Sequence, residues 1–225
     1  MARPVGAARL RQLPPYLFAQ IEQKIAAKRA AGVDIISLGI GDPDTPTPPF
    51  IVEEMRAQVA RPDTHQYPSN RGRESFREAL AGFYAERFGV TLDPATQIIP
   101  AMGAKEAVAN VNLALLDPGD VALASDPGYP VYTTGPLLAG AEPVPMPLLA
   151  ELGFQPDLDA IPADVLRRAR IMFINYPNNP TGGVVEGDFF ARVVDFARRH
   201  DIVVVHDNAY SEITYDGYRA PSFLE

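Results

Sequence analysis

The chain has 225 residues, 47% of them hydrophobic and 21% charged, a balance that favours a buried core over disorder. Its net charge of −8 argues against nucleic-acid binding, and no apolar run is long enough to cross a membrane. The chain has no cysteine, which excludes disulfides, thiol catalysis and zinc–cysteine sites. From charge, hydropathy and cysteine content together, we expect a cytoplasmic protein with no metal, nucleic-acid or membrane partner.

The first third of the chain reads as helices separated by loops. Apolar residues at helical spacing predict a helix over 17–31 that ends at Gly32. Residues 35–38 read as a short strand that leads into a glycine-rich loop at 39–44. Two further helices are predicted, over 48–60 and 73–88.

From residue 98 onward, short apolar strands alternate with helices. Strands are predicted at 98–99, 121–124, 142–146, 171–174 and 202–206. Helices are predicted at 103–116, after the loop at 126–130, near 159–168 and at 186–200. This alternation predicts an α/β fold with a mainly parallel, buried sheet. In such sheets ligands bind beyond the carboxyl ends of the strands, so the polar residues there are the candidate site.

A helix start with small residues follows the first of these strands. Gly103 and Ala104 leave the backbone N–H groups of the first turn, including that of Lys105, accessible to an anion such as a phosphate. The alternative is an ordinary helix N-terminus. The segment is neither a Walker A loop nor a dinucleotide-binding motif.

Two strand ends present aromatic and amide groups. Tyr129 lies in a loop fixed by Gly128 and two prolines, where its ring offers a face to a flat heterocycle. The alternative is a tyrosine packed over the sheet edge. Asn178 and Asn179 follow the strand at 171–174, and their carboxamides donate and accept hydrogen bonds at every pH.

A carboxylate and a phenol follow the last predicted strand. Asp207 ends this strand, where a carboxylate is costly unless it meets a cation or several donors, although a helix N-cap is the alternative. Tyr210 lies three residues later. Together, a phosphate site, an aromatic face, a partner for a ring N–H⁺ and donors to a ring oxygen predict pyridoxal 5′-phosphate (PLP) as the ligand.

These segments resemble the class I/II family of PLP-dependent aminotransferases of fold type I, and within it the LL-diaminopimelate aminotransferase group. The resemblance covers the whole chain. It rests on LGIGDPD at 38–44, GAKE at 103–106, DPGYP at 126–130, NNPTG at 178–182 and HDNAYSE at 206–212. It implies the three-layer α/β fold of PLP-transferases, with residues 1–48 forming an N-terminal arm and part of the small domain. Residues 49–225 would form the PLP-binding large domain, incomplete at its C-terminus.

The resemblance also implies a role for each matching residue. Ala104 and Lys105 would bind the phosphate, Tyr129 would stack on the ring, and Asp207 would pair with the ring nitrogen. Asn179 and Tyr210 would hydrogen-bond the ring oxygen. Gly41 would let a substrate carboxylate approach the backbone. Tyr67 would reach the phosphate, and Tyr16 the substrate, across a homodimer.

The sequence departs from the family's pattern at the covalent part of the site. The family's Schiff-base lysine lies in a Ser-x-Ser-Lys stretch, but the only lysines here are Lys24, Lys28 and Lys105, and none fits it. We expect amino-group transfer between an amino acid and a 2-oxo acid as the family activity, and an inactive fragment as the behaviour of these 225 residues. A lyase or decarboxylase of the same fold, or a PLP-sensing module of a transcription regulator, are the alternatives.

Overall fold

The computed structural model describes residues 5–38, 41 and 43–225. They form two compact units: Arg71–Glu225 with the N-terminal residues through Leu13, and Pro14–Asn70. The predicted division between residues 48 and 49 stays a prediction. Among the described residues, no helix is long and apolar enough to cross a membrane.

Two α-helices form in the residues of the smaller unit that the structure describes. Helix α1 spans Leu17–Ala30 and α2 spans Pro49–Val59, both close to the predicted bounds. Proline at the first position of α2 suits a helix start, because that position lacks an intrahelical N–H partner in any case. A short 3-10 helix at Pro62–Thr64 follows, where Arg61 and Asp63 form an exposed ion pair.

The described part of the larger unit holds five α-helices and four strands. The helices are α3 (Glu74–Phe88), α4 (Ala104–Leu115), α5 (Val131–Ala139), α6 (Ala163–Leu166) and α7 (Phe189–His200). The strands are β1 (Val121–Asp126), β2 (Glu142–Pro147), β3 (Ala169–Asn175) and β4 (Val203–Asp207). Two 3-10 helices, Ala8–Gln12 and Ala150–Leu152, belong to the same unit.

The four strands form one sheet in the order β2-β1-β3-β4, and every neighbouring pair is parallel. This confirms the predicted parallel sheet. At its carboxyl edge Asn175 of β3 is in register with Asp207 of β4. The strand ends that carry the candidate site residues are therefore neighbours.

Alternate residues of the central strands pack against helices on opposite faces of the sheet. Met172 and Ile174 of β3 join a core with Phe189 and Val193 of α7. Ile171 and Phe173 join a second core with residues of α4 and α5, including Val108 and Tyr132. Because both faces of β3 are covered, its side chains form a continuous apolar run, as expected of a buried parallel strand.

Two predicted strands are wrong. Residues 35–38 form no strand and pair with no strand in the described parts of the chain, and the Ile36 and Leu38 side chains are almost fully exposed. Residues 98–99 are also irregular, with Ile99 exposed. Both segments have strand-like composition, but a strand requires a hydrogen-bonding partner that a short apolar run cannot provide by itself.

Candidate functional site

A cavity of about 210 Å³ opens where the carboxyl ends of β1, β3 and β4 meet the first turn of α4. It is lined by Ala104, Lys105, Tyr129, Tyr132, Asn175, Asn179, Asp207, Ala209 and Tyr210. Six of these nine are residues that the sequence singled out. Residues from four separate segments thus meet at the edge of the sheet where parallel α/β folds bind ligands.

The first turn of α4 supplies the anion-binding side of the cavity. Gly103 precedes the helix with a φ of 86°, a conformation that L side chains rarely adopt, and an added Cβ there would meet open space. The carboxylate of Glu106 accepts the backbone N–H of Met102, which fixes the entry into the helix. The N–H groups of an α-helix's first turn and its macrodipole favour an anion at this position.

Tyr129 reaches the cavity through a loop that depends on Gly128. A Cβ at residue 128 would lie 2.2 Å from the backbone oxygen of Ser125, so only glycine fits this close approach. The Tyr129 ring meets the Tyr132 ring edge-on, with 6.1 Å between centroids. The Lys105 ammonium lies 5.8 Å from the Tyr129 centroid, on its face.

Asp207 is held by a buried tyrosine. The Tyr132 hydroxyl donates to Asp207 Oδ2 at 2.8 Å, and the Tyr132 ring stacks on Phe173 with centroids 5.2 Å apart. Burial, reinforced by the negative charge of Asp207, raises the pKa of Tyr132 far above its ordinary value. Tyr132 therefore stays a neutral hydrogen-bond donor to the Asp207 carboxyl.

Neutral polar groups form another part of the lining. Asn179 Nδ2 donates to the Tyr210 hydroxyl at 3.2 Å, which brings the loop after β3 to the loop after β4. Asn175 lies behind them, only 1% exposed, with its carboxamide bonded to the backbone of Asp207 at the end of β4 and of Asn179 in the loop after β3. An amide and a phenol side by side suit a ligand oxygen that carries negative charge.

The lining fits the chemistry of PLP. A carboxylate suits a protonated ring nitrogen, the amide–phenol pair suits a ring oxygen, the Tyr129 ring suits an aromatic face, and the start of α4 suits a phosphate. The alternative for Tyr129 was packing over the sheet edge, and the alternative for Asp207 was a helix N-cap. Neither alternative explains why the two residues line the same cavity. The individual roles stay predictions.

Three predicted site residues belong to the smaller unit. The Tyr67 side chain is fully exposed and Tyr16 is about half exposed, with its ring 5.6 Å from that of Phe18. A Cβ added at Gly41 would meet no atom within 4 Å. Their predicted roles stay predictions. Gly39, Ile40 and Asp42 of the 38–44 motif lie outside the described residues.

Sequence reasoning missed Tyr132 and Asn175. Tyr132 lies 75 residues from Asp207 in the chain, so no local pattern joins them. A weak signal was its place three residues after Tyr129, one helical turn away. Asn175 carries a clearer signal, because it is a polar residue at the end of an apolar strand.

Comparisons with known proteins agree with this geometry. Residues 33–224 match the family described as aminotransferase class I and II. LL-diaminopimelate aminotransferases of Desulforudis audaxviator and Moorella thermoacetica are 60% and 58% identical over 98% and 97% of this chain. The solved structure of apo-BacF from Bacillus subtillis superposes with a TM-score of 0.92 at 39% identity, over 99% of this chain. The chain spans 56% of the length of each of these three proteins.

Proposed function

Because the chain belongs to the aminotransferase class I and II family, we propose that its cavity at the carboxyl ends of β1, β3 and β4 holds PLP. One observation carries the proposal. The carboxylate of Asp207, the ring of Tyr129, the Asn179–Tyr210 pair and the first turn of α4 line a single cavity, although they come from segments far apart in the chain.

Each residue has a distinct task in this proposal. Asp207 pairs with the ring nitrogen and keeps a proton there, which its negative charge favours. Asn179 and Tyr210 hydrogen-bond the ring oxygen and stabilise its anionic form. The backbone of Ala104 and Lys105 binds the phosphate, and Tyr129 covers one face of the ring and excludes water from it.

When bound, the cofactor supplies an electron sink for negative charge that develops on the amino-acid carbon. The protein's contribution is to preserve that sink. Tyr132 supports it by donating to Asp207 while remaining neutral, so the carboxylate is oriented and no second negative charge enters the site.

For the substrate, we propose amino-group transfer from LL-diaminopimelate to a 2-oxo acid, a reaction of lysine biosynthesis. The relatives that carry this name are up to 60% identical over nearly the whole chain, and this similarity supports the proposal. The wider proposal is a cytoplasmic homodimer in which Gly41 and Tyr16 contact substrate. Tyr67 would reach the phosphate bound by the neighbouring subunit.

A fusion enzyme tests the proposed reaction. The 225 residues would be joined to the remaining C-terminal part of the Desulforudis audaxviator relative and assayed with LL-diaminopimelate and a panel of 2-oxo acids. We expect transfer, with a loss of about 10- to 100-fold in kcat/KM on Asp207→Asn, because a charge-assisted hydrogen bond is removed.

Asp216→Asn is the matched control. Asp216 is exposed and has a φ of 56°, a conformation that asparagine tolerates well, so this change should leave kcat/KM unaltered. A folded fusion that transfers amino groups only from other amino acids would contradict the proposed substrate. Equal effects of the two substitutions would contradict the proposed role of Asp207.

A further inference from the structure

Asn175 occupies the junction between the end of β4, which would contact the nitrogen of the cofactor ring, and the loop after β3, which would contact the oxygen on that ring. It is the last residue of β3, is in register with Asp207 of β4, and is 1% exposed. A buried carboxamide is costly unless both its donor and its acceptor are satisfied. Here the donor is satisfied at the end of β4 and the acceptor in the loop after β3.

The two bonds of this carboxamide are short and point in different directions. Nδ2 donates to the backbone carbonyl of Asp207 at 2.7 Å. Oδ1 accepts the backbone N–H of Asn179 at 2.8 Å. One rigid, planar group therefore ties the backbone of the carboxylate residue to the backbone of the amide residue.

These two hydrogen bonds of Asn175 fix the distance between Asp207 and Asn179. Asp207 is also held through its carboxylate by Tyr132, and Asn179 through its side chain by Tyr210. In a pyridine ring that carries an oxygen substituent, the distance between the ring nitrogen and that oxygen is fixed. A site that recognises both atoms must match that distance to within about 0.5 Å.

We propose that Asn175 is a positioning residue that sets the spacing between Asp207 and the Asn179–Tyr210 pair, so that one ring can satisfy both. The inference rests on the proposed cofactor site. Its content goes beyond that site, because Asn175 would act through the end of β4 and the loop after β3, and its carboxamide is occupied by backbone atoms.

The alternative is that Asn175 only stabilises the fold. A positioning role and a purely structural role can be distinguished by comparing the affinities of the protein for two ligands, one that contacts both Asp207 and the Asn179–Tyr210 pair and one that contacts only Asp207. A loss of stability lowers the folded fraction and weakens every ligand by the same factor. A change of spacing weakens a ligand that uses both ends of the site more than one that uses a single end.

The probes are pyridoxamine 5′-phosphate and its 3-deoxy analogue, which lacks the ring oxygen. Neither carries an aldehyde, so neither reacts with lysines. For the wild-type chain we expect the parent compound to bind about 10-fold more tightly, because it gains hydrogen bonds from Asn179 and Tyr210. In Asn175→Ala we expect this ratio to fall to about 2 or less, with weaker binding of both compounds.

Two further variants sharpen the test. Asn175→Asp keeps the acceptor for the Asn179 N–H but places an oxygen against the Asp207 carbonyl. We therefore expect the ratio of the two affinities to fall in this variant as it does in Asn175→Ala. Asn112→Ala is the matched control, since Asn112 is also fully buried, donates to the Val108 carbonyl and does not line the cavity. It should leave the ratio unchanged even where it weakens binding.

Hydrogen exchange at the Asn179 amide in ligand-free protein gives an independent readout. Exchange should be faster in Asn175→Ala and unchanged in Asn112→Ala. An unchanged ratio in both Asn175 variants overturns the inference, as does a wild-type chain that binds the two compounds equally. If the wild-type chain binds neither compound, the cofactor proposal fails. If Asn179 exchange is also unaltered in Asn175→Ala, the proposed link from Asn175 to Asp207 and Asn179 is overturned as well.

Discussion

The Asp207 carboxyl is oriented at the sheet edge by a buried donor that keeps its proton. The Tyr132 hydroxyl lies 2.8 Å away, and burial together with the Asp207 charge holds the pKa of Tyr132 far above the physiological range. The Tyr132 ring is fixed by stacking on Phe173 and touches Tyr129 edge-on. One buried side chain thus orients both the carboxylate and the aromatic face of the site.

His206, the residue before Asp207, should make stability depend on pH. Its Nδ1 accepts the backbone N–H of Phe223 at 3.3 Å, so the ring is neutral and Nε2 donates to the Tyr176 carbonyl at 3.1 Å. Burial lowers the pKa of His206, against weaker opposing effects of that carbonyl and of Asp207. The unfolded chain, with a histidine pKa of about 6.5, therefore binds a proton that the native protein excludes.

The contribution of His206 to stability is complete above pH about 6.5 and is lost progressively as the pH falls below that value. Urea unfolding between pH about 5 and 7.5 should show this fall in the wild-type chain and a flatter profile in His206→Gln. A slope that His206→Gln leaves intact would assign the pH dependence to other groups.

At the scale of elements, α4 and α5 meet at a glycine with no room for a side chain. A Cβ on Gly135 of α5 would lie 2.4 Å from Nδ2 and 2.9 Å from Cγ of Asn112 in α4. Asn112 cannot retreat easily, because it is fully buried and its Nδ2 donates to Val108. This contact positions the helix that begins two residues after Tyr129 against the helix that starts at the anion-binding turn.

We expect Gly135→Ala to lower the free energy of unfolding by about 1–3 kcal/mol, despite the better helix propensity of alanine. Gly82→Ala in α3 is the matched control. A Cβ at Gly82 meets no atom within 4 Å, so this change should be neutral or stabilise by up to about 1 kcal/mol. Urea unfolding of both variants measures the difference, and a stabilised Gly135→Ala would refute the tight contact.

Helices and buried strands were predictable to different degrees for physical reasons. Helices α1 to α4 follow local spacing and end signals such as Gly89, whose φ of 70° closes α3. Strands depend on partners, so apolar composition correctly predicted β3 and β4 but also predicted strands at 35–38 and 98–99 that did not form. Strand ends predicted the cavity well, because parallel strands place their final residues along one edge.

At the scale of the whole molecule, the sequence predicted most of the side chains that line the cavity but not the hydrogen bonds that hold those side chains in place. Six lining residues followed from strand ends and from the family resemblance. Tyr132 and Asn175 act on Asp207 from 75 and 32 residues away, a relation set by packing of the sheet and α5. The residues that orient a site are thus harder to find from sequence than the residues that would touch its ligand.

Whether the cavity binds a PLP-type ligand is measured most directly by calorimetric titration of the 225-residue chain with pyridoxamine 5′-phosphate. We expect saturable binding with one site per chain. Asp207→Asn should weaken binding about 10-fold or more, because the ring N–H⁺ loses its charged partner, while Asp216→Asn should not. A folded wild-type chain that binds no pyridoxamine 5′-phosphate, or binds it equally well with Asp207→Asn, would contradict the account.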